Sequence, residues 1–394
     1  MTTAALMNNY GTPPVTFVRG EGAELVDDGG RRYLDFLCGL AVTGLGHAHP
    51  AVTEAVSTQA ATLIHTSNLF ANEPTAEVVQ TLDRLIRCGP GGDDEPGRIL
   101  FQNSGAEAVE AALKLARKHQ GRGRHAVVSA YGSFHGRTLA ALAATGQPQK
   151  HEPFQPLPEG FRHVPYDDLD ALVAALDPSV GAVVLESVQG EGGVVPAGDA
   201  YLQGVRAVCD ERGILLVLDE IQTGLARTGS WFGYQHAGVQ PDIVTMAKAL
   251  GNGVPVGAVW ARPEVAAAFA PGDHGSTFAG QPLALAAVRA VLTELQAMDA
   301  PAVAARLGDE LRRRLAGIDG VASVRGRGLL LAAELSETAA AGRSAADIAR
   351  ACLGRGLVVN GVTPTAVRLA PPFIVTSEQL AAGCSILDAV LNGR

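Results

Sequence analysis

Apolar residues in this chain gather into short uninterrupted runs, divided by turns and by stretches of helical spacing. RILFQN (98–103), HAVVSA (125–130), GAVVLES (181–187), GILLVLD (213–219), DIVTMAK (242–248) and VGAVWA (256–261) all have strand length. Runs without apolar–polar alternation suit strands covered on both faces, which predicts a mainly parallel sheet between helices. AEAVEAALKLARKHQ, after the first run, and YLQGVRAVCDERG, before the fourth, repeat apolar residues at helical intervals. The alternation predicts a large three-layer α/β/α domain. After Pro282 the pattern turns helical, from LALAAVRAVLTELQAM through AARLGDELRRRLAGI. Strand-like GRGLLLAAEL, GLVV and VRLAPPF follow, then a last helix, EQLAAGCSILDAVL. This predicts a smaller α+β domain from 286 to 394. GDDEPG (92–97) and QPQKHEPFQPLPEG (147–160) are expected to be polar loops, and no repeat of solenoid length is evident.

Composition narrows the classes. The chain has 394 residues, 47% of them apolar, and a net charge of −9 without a basic stripe, so nucleic acid is not an expected partner. Cys38, Cys88, Cys209, Cys352 and Cys384 are odd in number and lack CxxC spacing. Neither structural disulfides nor a zinc site is expected, and a reducing, cytoplasmic setting fits. MTTAALMNNYGTPP lacks the pattern of a signal peptide, and no apolar run reaches the length of a membrane span.

The candidate chemistry centres on Lys248 and Asp219. A lysine flanked by aliphatic residues loses hydration of its ammonium and becomes available as a nucleophile. An aspartate closing an aliphatic strand holds a fixed negative charge in a cleft. An amine that condenses with an aldehyde, with a carboxylate that protonates a pyridine ring, is what pyridoxal phosphate requires of a protein. Upstream, Ser104 and Glu107 form a capping-box signature, which marks an ordinary helix start or, with Gly105 and Ala106, a phosphate cradle at the helix's positive end. Phe134 follows the strand HAVVSA and is either a core aromatic or a ring stacked on the cofactor. Arg137 is either a surface cation or a carboxylate clamp. Gln222 lies one turn beyond Asp219, in reach of the ring's phenolate oxygen. Ser276 and Thr277 occupy a polar loop that could close on phosphate or substrate. Arg368 precedes two prolines, and Glu191, in GEGG, could neutralise it. GEGG lacks the spacing of a dinucleotide fingerprint. His47 and His49 in GHAHP lack a third metal ligand, so no metal is expected.

These segments resemble the class III, fold-type-I pyridoxal-phosphate aminotransferases over nearly the whole chain. The resemblance is carried by FLCGLAVTGLGHAHP, TSNLFANEP, NSGAEAVEAALKLAR, SFHGRTLAALAATGQ, VQGEGGV, LDEIQTGLARTG, AKALGNGVP, HGSTFAGQPLA and VRLAPP. It implies an N-terminal segment, 1–45, packed with the small domain, and a cofactor-binding domain over 46–285. It implies that Lys248 binds the cofactor covalently and shuttles a proton, that Asp219 pairs with the ring nitrogen, and that Gln222 lies near the phenolate oxygen. Phe134 would stack on the ring. Ser104, Gly105 and Ala106 would hold the phosphate, with Thr277 reaching it from the partner subunit of a homodimer. Arg137 and Ser276 would take the α-carboxylate end of the donor. Arg368, screened by Glu191, would serve glutamate and 2-oxoglutarate. The implied activity moves the δ-amino group of N2-acetyl-L-ornithine to 2-oxoglutarate, giving N-acetyl-L-glutamate 5-semialdehyde and glutamate, a step of arginine biosynthesis. Ornithine, succinyldiaminopimelate and 4-aminobutyrate are the alternative donors. Aliphatic residues in LCGLAV, where ornithine enzymes usually place a tyrosine, favour the acylated amine. Three departures stand out: Ser187 in place of proline, LARTG for MGRTG, and LGNG for LGGG.

Overall fold

The computed structural model describes residues 6–89, 95–337 and 342–393. A seven-stranded sheet forms the centre, in the order Arg98–Gln102, Gly257–Ala261, Ile243–Met246, Leu215–Asp219, Val180–Glu186, Ala126–Ala130, Phe161–Val164. Gly257–Ala261 alone runs antiparallel to its neighbours. All six apolar runs are therefore strands. Their lack of alternation has a simple cause, because successive side chains enter two different cores. Val127, Ala182, Val184, Leu215, Val217 and Ile243 pack under the helix Gly105–Gln120. Val128, Val183, Leu185, Leu216, Leu218 and Val244 face the other layer, with the helices Asp199–Arg212 and Pro282–Ala297. Burial of a Val or Leu side chain stabilises by about 1.5–3 kcal/mol, which two-sided strands collect at every position.

Three expectations need correction. The strand DIVTMAK ends at Met246, and Lys248 begins a short 3₁₀ turn, Lys248–Gly251. The loop 147–160 contains a helical turn, Pro148–His151, and a 3₁₀ turn, Glu152–Phe154, before the edge strand Phe161–Val164. GLVV (356–359) does not join the C-terminal sheet: its Leu357–Val358 pairs in parallel with Arg32–Asp35 of an N-terminal sheet, and it is the next two residues, Asn360–Gly361, that edge the C-terminal sheet. Residues 92–94 of the first polar loop lie outside the described residues.

The C-terminal antiparallel sheet, Val321–Arg327, Leu330–Leu335, Ala366–Leu369 and Asn360–Gly361, carries Arg368. Arg227 ties this sheet to the turn beyond Asp219. Its buried guanidinium donates to the carbonyls of Pro371 (2.6 Å) and Leu329 (3.3 Å) and lies 4.7 Å from the centroid of Phe373. Among the described residues no helix is long and apolar enough to cross a membrane. Nor do they contain a cluster of three His, Cys, Asp or Glu able to hold a metal ion.

Candidate active site

The carboxyl ends of the central strands open into a cavity of about 380 Å³. Its lining includes Ser104, Gly105, Ala106, Phe134, Arg137, Asp219, Gln222 and Lys248, so the structure gathers eight of the sequence candidates around one space. Strand ends in an open α/β sheet are where ligands bind.

The helix Gly105–Gln120 starts at the cavity wall. Ser104 Oγ accepts from the Glu107 amide at 3.3 Å, but Glu107 does not complete the capping box. Its carboxylate turns instead to the backbone and side-chain nitrogens of Asn103, at 2.6 and 2.9 Å. The first amides of the helix are left facing the cavity, as an anion site requires. A Cβ on Gly105 would stand 2.8 Å from Ile221 Cδ1, so a larger residue would crowd the cradle.

Lys248 reaches the cavity from a left-handed backbone position, φ 45°, a conformation that costs a non-glycine residue about 1–3 kcal/mol. Burial, joined by the nearby charge of Arg368, holds its ammonium pKa below the ordinary lysine value, against the opposing pull of Glu191, Asp219 and Glu186. Desolvation thus acts on this lysine in the direction that its aliphatic flanks predict.

Asp219 is buried, accepts from the Ile221 amide at 3.1 Å and faces His135 Nδ1 at 2.8 Å. Burial opposes a charge on His135, but the hydrogen bond and charge of Asp219, with the charge of Glu186, prevail and raise its pKa. Glu186 is pushed up to about 7 by burial and by Asp219, against His135 and the amides of Phe134 and Gly190. Sequence reasoning missed both His135 and Glu186. The signal for His135 was its place beside Phe134. For Glu186 it was an acid at the end of a fully apolar strand, as with Asp219.

Between pH 4.5 and about 7 the folded chain holds more protons on Glu186 than the unfolded chain does. Stability is therefore lost through this carboxyl as pH rises across that window. Glu186→Gln, uncharged throughout, is expected to melt with the parent near pH 4.5 and above it at pH 8. A gap independent of pH in thermal melts would refute this.

Arg368 is buried, with Nη1 on Glu191 Oε1 at 2.6 Å, on the Gly190 carbonyl at 3.2 Å and on Gln222 Oε1 at 3.4 Å. Its Nη2 is buried without a partner, a donor left for a ligand. A Cβ at residue 190 would fall 1.6 Å from Gln222 Oε1, so the glycine there makes room for this cluster. Gln222 Nε2 donates to the Leu40 carbonyl at 3.4 Å. Leu40 belongs to a left-handed turn, Cys38–Ala41 with φ from 51° to 70°, that delivers Val42 to the cavity wall.

Ser276 and Thr277 do not line this cavity. Ser276 Oγ accepts from Asn103 Nδ2 at 2.8 Å, and Thr277 is exposed. Two of the departures take local partners. Ser187 Oγ donates to Glu220 Oε1 at 2.7 Å, feeding a buried carboxyl whose pKa burial pushes up to about 6. Asn252, φ 46°, accepts from the Leu45 amide and donates to the Gly46 carbonyl, pinning the lysine turn to the N-terminal segment. In LARTG, Leu225 and Ala226 both have positive φ, and nothing in the structure explains why leucine and alanine stand there.

A depressed lysine ammonium across one cavity from an aspartate at a strand end, with a helix N-terminus between, fits a pyridoxal-phosphate enzyme of fold type I. Family comparison narrows this: the profile for class-III aminotransferases matches residues 5–391, and the chain belongs to that family. It is an enzyme, and its cofactor is pyridoxal phosphate. The chain is 48% identical to the acetylornithine aminotransferase of Mycolicibacterium smegmatis, covering 99% of this chain and 96% of that one. It is 46% identical to the acetylornithine aminotransferase of Corynebacterium efficiens, over 98% and 94%. Among solved structures, the N-acetylornithine aminotransferase of Stenotrophomonas maltophilia superposes with a TM-score of 0.83 at 36% identity, covering 98% of each chain. The ornithine aminotransferase of Toxoplasma gondii gives 0.90 at 34%, over 99% and 93%.

Proposed function

We propose that this enzyme transfers the δ-amino group of N2-acetyl-L-ornithine to 2-oxoglutarate, releasing N-acetyl-L-glutamate 5-semialdehyde and glutamate, a step of arginine biosynthesis. The observation that carries the reading is Lys248, its ammonium destabilised by burial, in one cavity with Asp219 and the first turn of Gly105–Gln120. Bound pyridoxal phosphate supplies an aldehyde for amine exchange and a ring that draws electrons from the substrate carbon. Ser104, Gly105 and Ala106 would hold its phosphate at the helix N-terminus, with Phe134 available to its ring and Gln222 to its phenolate oxygen. Asp219 would keep a proton on the ring nitrogen. Lys248 would hold the cofactor through its buried amine and, once freed by the incoming substrate amine, would serve as the base that moves the proton at the substrate carbon. Arg137, with Ser276, orients the α-carboxylate end of the donor. Arg368 receives the α-carboxylate of 2-oxoglutarate once Glu191 yields, and Glu191 caps it when the donor brings no second carboxylate.

A homodimer completes the site in this reading, with Thr277 of the partner subunit reaching the phosphate. Leu63, Ile64, Leu69, Phe70 and Phe278 are exposed beside the Thr277 loop, to which Asn68 is bonded through the Ala279 carbonyl. An exposed apolar patch of this kind marks an interface. The division into 1–45, 46–285 and 286–394 is supported by the pairing of Arg32–Asp35 with Leu357–Val358, which places the N-terminal segment with the C-terminal part. A cytoplasmic setting accords with five free cysteines.

The substrate assignment is tested by kcat/KM with N-acetylornithine, ornithine, succinyldiaminopimelate and 4-aminobutyrate, each against 2-oxoglutarate. N-acetylornithine is expected to lead, since Val42, which the LCGLAV segment places on the cavity wall, offers no polar group to a free α-amino group. A tenfold preference for ornithine would overturn the assignment.

A further inference from the structure

Among the described residues, Arg137 lines the cavity, Arg368 and Lys150 stand close to its lining residues Gln222 and Phe134, and of the three Arg368 alone has a salt bridge to an acid. Arg368 is paired with Glu191. Arg137, which lines the cavity, lies with its guanidinium carbon 5.6 Å from the Phe134 ring centroid. Lys150 Nζ lies 5.2 Å from the same centroid. The two charges can be no further apart than the sum of those distances. Among the described residues no salt bridge joins either of them to a carboxylate. Lys150 is half-buried and donates to Gln147 Oε1, a neutral acceptor, while Gln147 Nε2 donates to the Ser133 carbonyl at 2.9 Å. That chain of bonds fixes the ammonium over the ring.

Burial and the neighbouring Arg137 both disfavour the charge on Lys150, and Glu191 alone supports it from across the mouth. Two like charges held on one aromatic ring, with no acid between them, are relieved when an anion enters. The ring face offers each cation a weak attraction but no hydrogen-bond acceptor.

We propose that Lys150 is a specificity-determining residue that joins Arg137 in binding the substrate carboxylate remote from the reacting carbon. Lys150 then serves the α-carboxylate of the amino donor and the distal carboxylate of 2-oxoglutarate in turn. The inference rests on the substrate reading above: with the donor's α-carboxylate at Arg137 and the α-carboxylate of 2-oxoglutarate at Arg368, the distal carboxylate of 2-oxoglutarate falls to the Arg137 end.

The test compares holoenzyme carrying Lys150→Met or Lys150→Arg with the parent, on two donors that differ by one group. N-acetylornithine has the carboxylate, and N-acetyl-1,4-diaminobutane is the same molecule without it. Lys150→Met is expected to raise KM for the first about tenfold, the scale of one charge-assisted hydrogen bond, with kcat kept. The second donor shows no such rise, and Lys150→Arg restores most of the loss. Glutarate, titrated through the absorbance of the bound cofactor, is expected to bind about tenfold more weakly to Lys150→Met. If both donors lose equally, Lys150 merely braces Phe134, and if neither changes and glutarate binds as before, Lys150 does not touch the carboxylate. Either result overturns the proposal. A parent enzyme that fails on N-acetylornithine yet shows the glutarate effect would instead sink the substrate reading and leave Lys150 as an anion site.

Discussion

Lys248→Ala is expected to abolish turnover to within detection, a loss of about 10⁴-fold or more, since one residue is both the amine that is displaced and the base that moves the proton. Lys248→Arg is expected to fare no better. A guanidinium keeps its proton at any working pH and offers no free amine. The bound cofactor should lose its absorbance in the visible-violet region in both variants. A visible-violet band that survives in Lys248→Ala would move the covalent role to another lysine. A second consequence concerns stability. The folded pKa of Lys248 lies below its ordinary value, so the unfolded chain holds this proton more tightly than the folded one. The lysine therefore costs stability at neutral pH, and the cost fades as pH rises through the ordinary lysine range. Cofactor-free Lys248→Met is expected to melt above the cofactor-free parent at pH 7, with the difference shrinking toward pH 10. A variant that melts lower at pH 7 would contradict the depressed pKa.

The residues legible in the sequence are those whose neighbours along the chain shape their surroundings. Asp219 ends a run whose every side chain is buried, and Ser104 announces its helix through a local cap. Such features are written within a few positions. The strand Phe161–Val164 was not foreseen because it is an edge strand, with Phe161, Arg162 and His163 half-exposed and no continuous apolar run. The N-terminal strands Phe17–Glu21, Glu24–Asp27 and Arg32–Asp35 escaped for the same reason. His135 and Glu186 matter through partners distant in sequence, since His135 meets Asp219 across 84 positions. No local pattern encodes that pairing. The left-handed turn Cys38–Ala41 contains a single glycine, so composition gave little sign of its backbone. Lys150 lay unnoticed in a segment read only as polar, and its meaning comes from the ring above which the fold places it.

Asp219→Asn is expected to lower kcat by about 10²–10³-fold, the range observed when one preorganised electrostatic group is removed from a site. Asparagine keeps the shape and can still accept from the Ile221 amide, so cofactor is expected to remain bound. What disappears is the negative charge that holds a proton on the ring nitrogen. The effect reaches further, because the pKa of His135 is raised only through Asp219 and Glu186 against a burial that opposes it. With Asp219 neutral, burial prevails and His135 loses its proton at a lower pH. For the parent, a raised histidine pKa contributes stability that is present below the ordinary histidine value and is lost as pH rises through the folded one. That step should vanish from the stability profile of Asp219→Asn. Kinetics and melts thus report on one carboxylate by independent routes. A loss of kcat without any change in the pH dependence of stability would separate Asp219 from His135. Full activity in the variant would remove Asp219 from the mechanism, leaving the proton on the ring nitrogen without a holder.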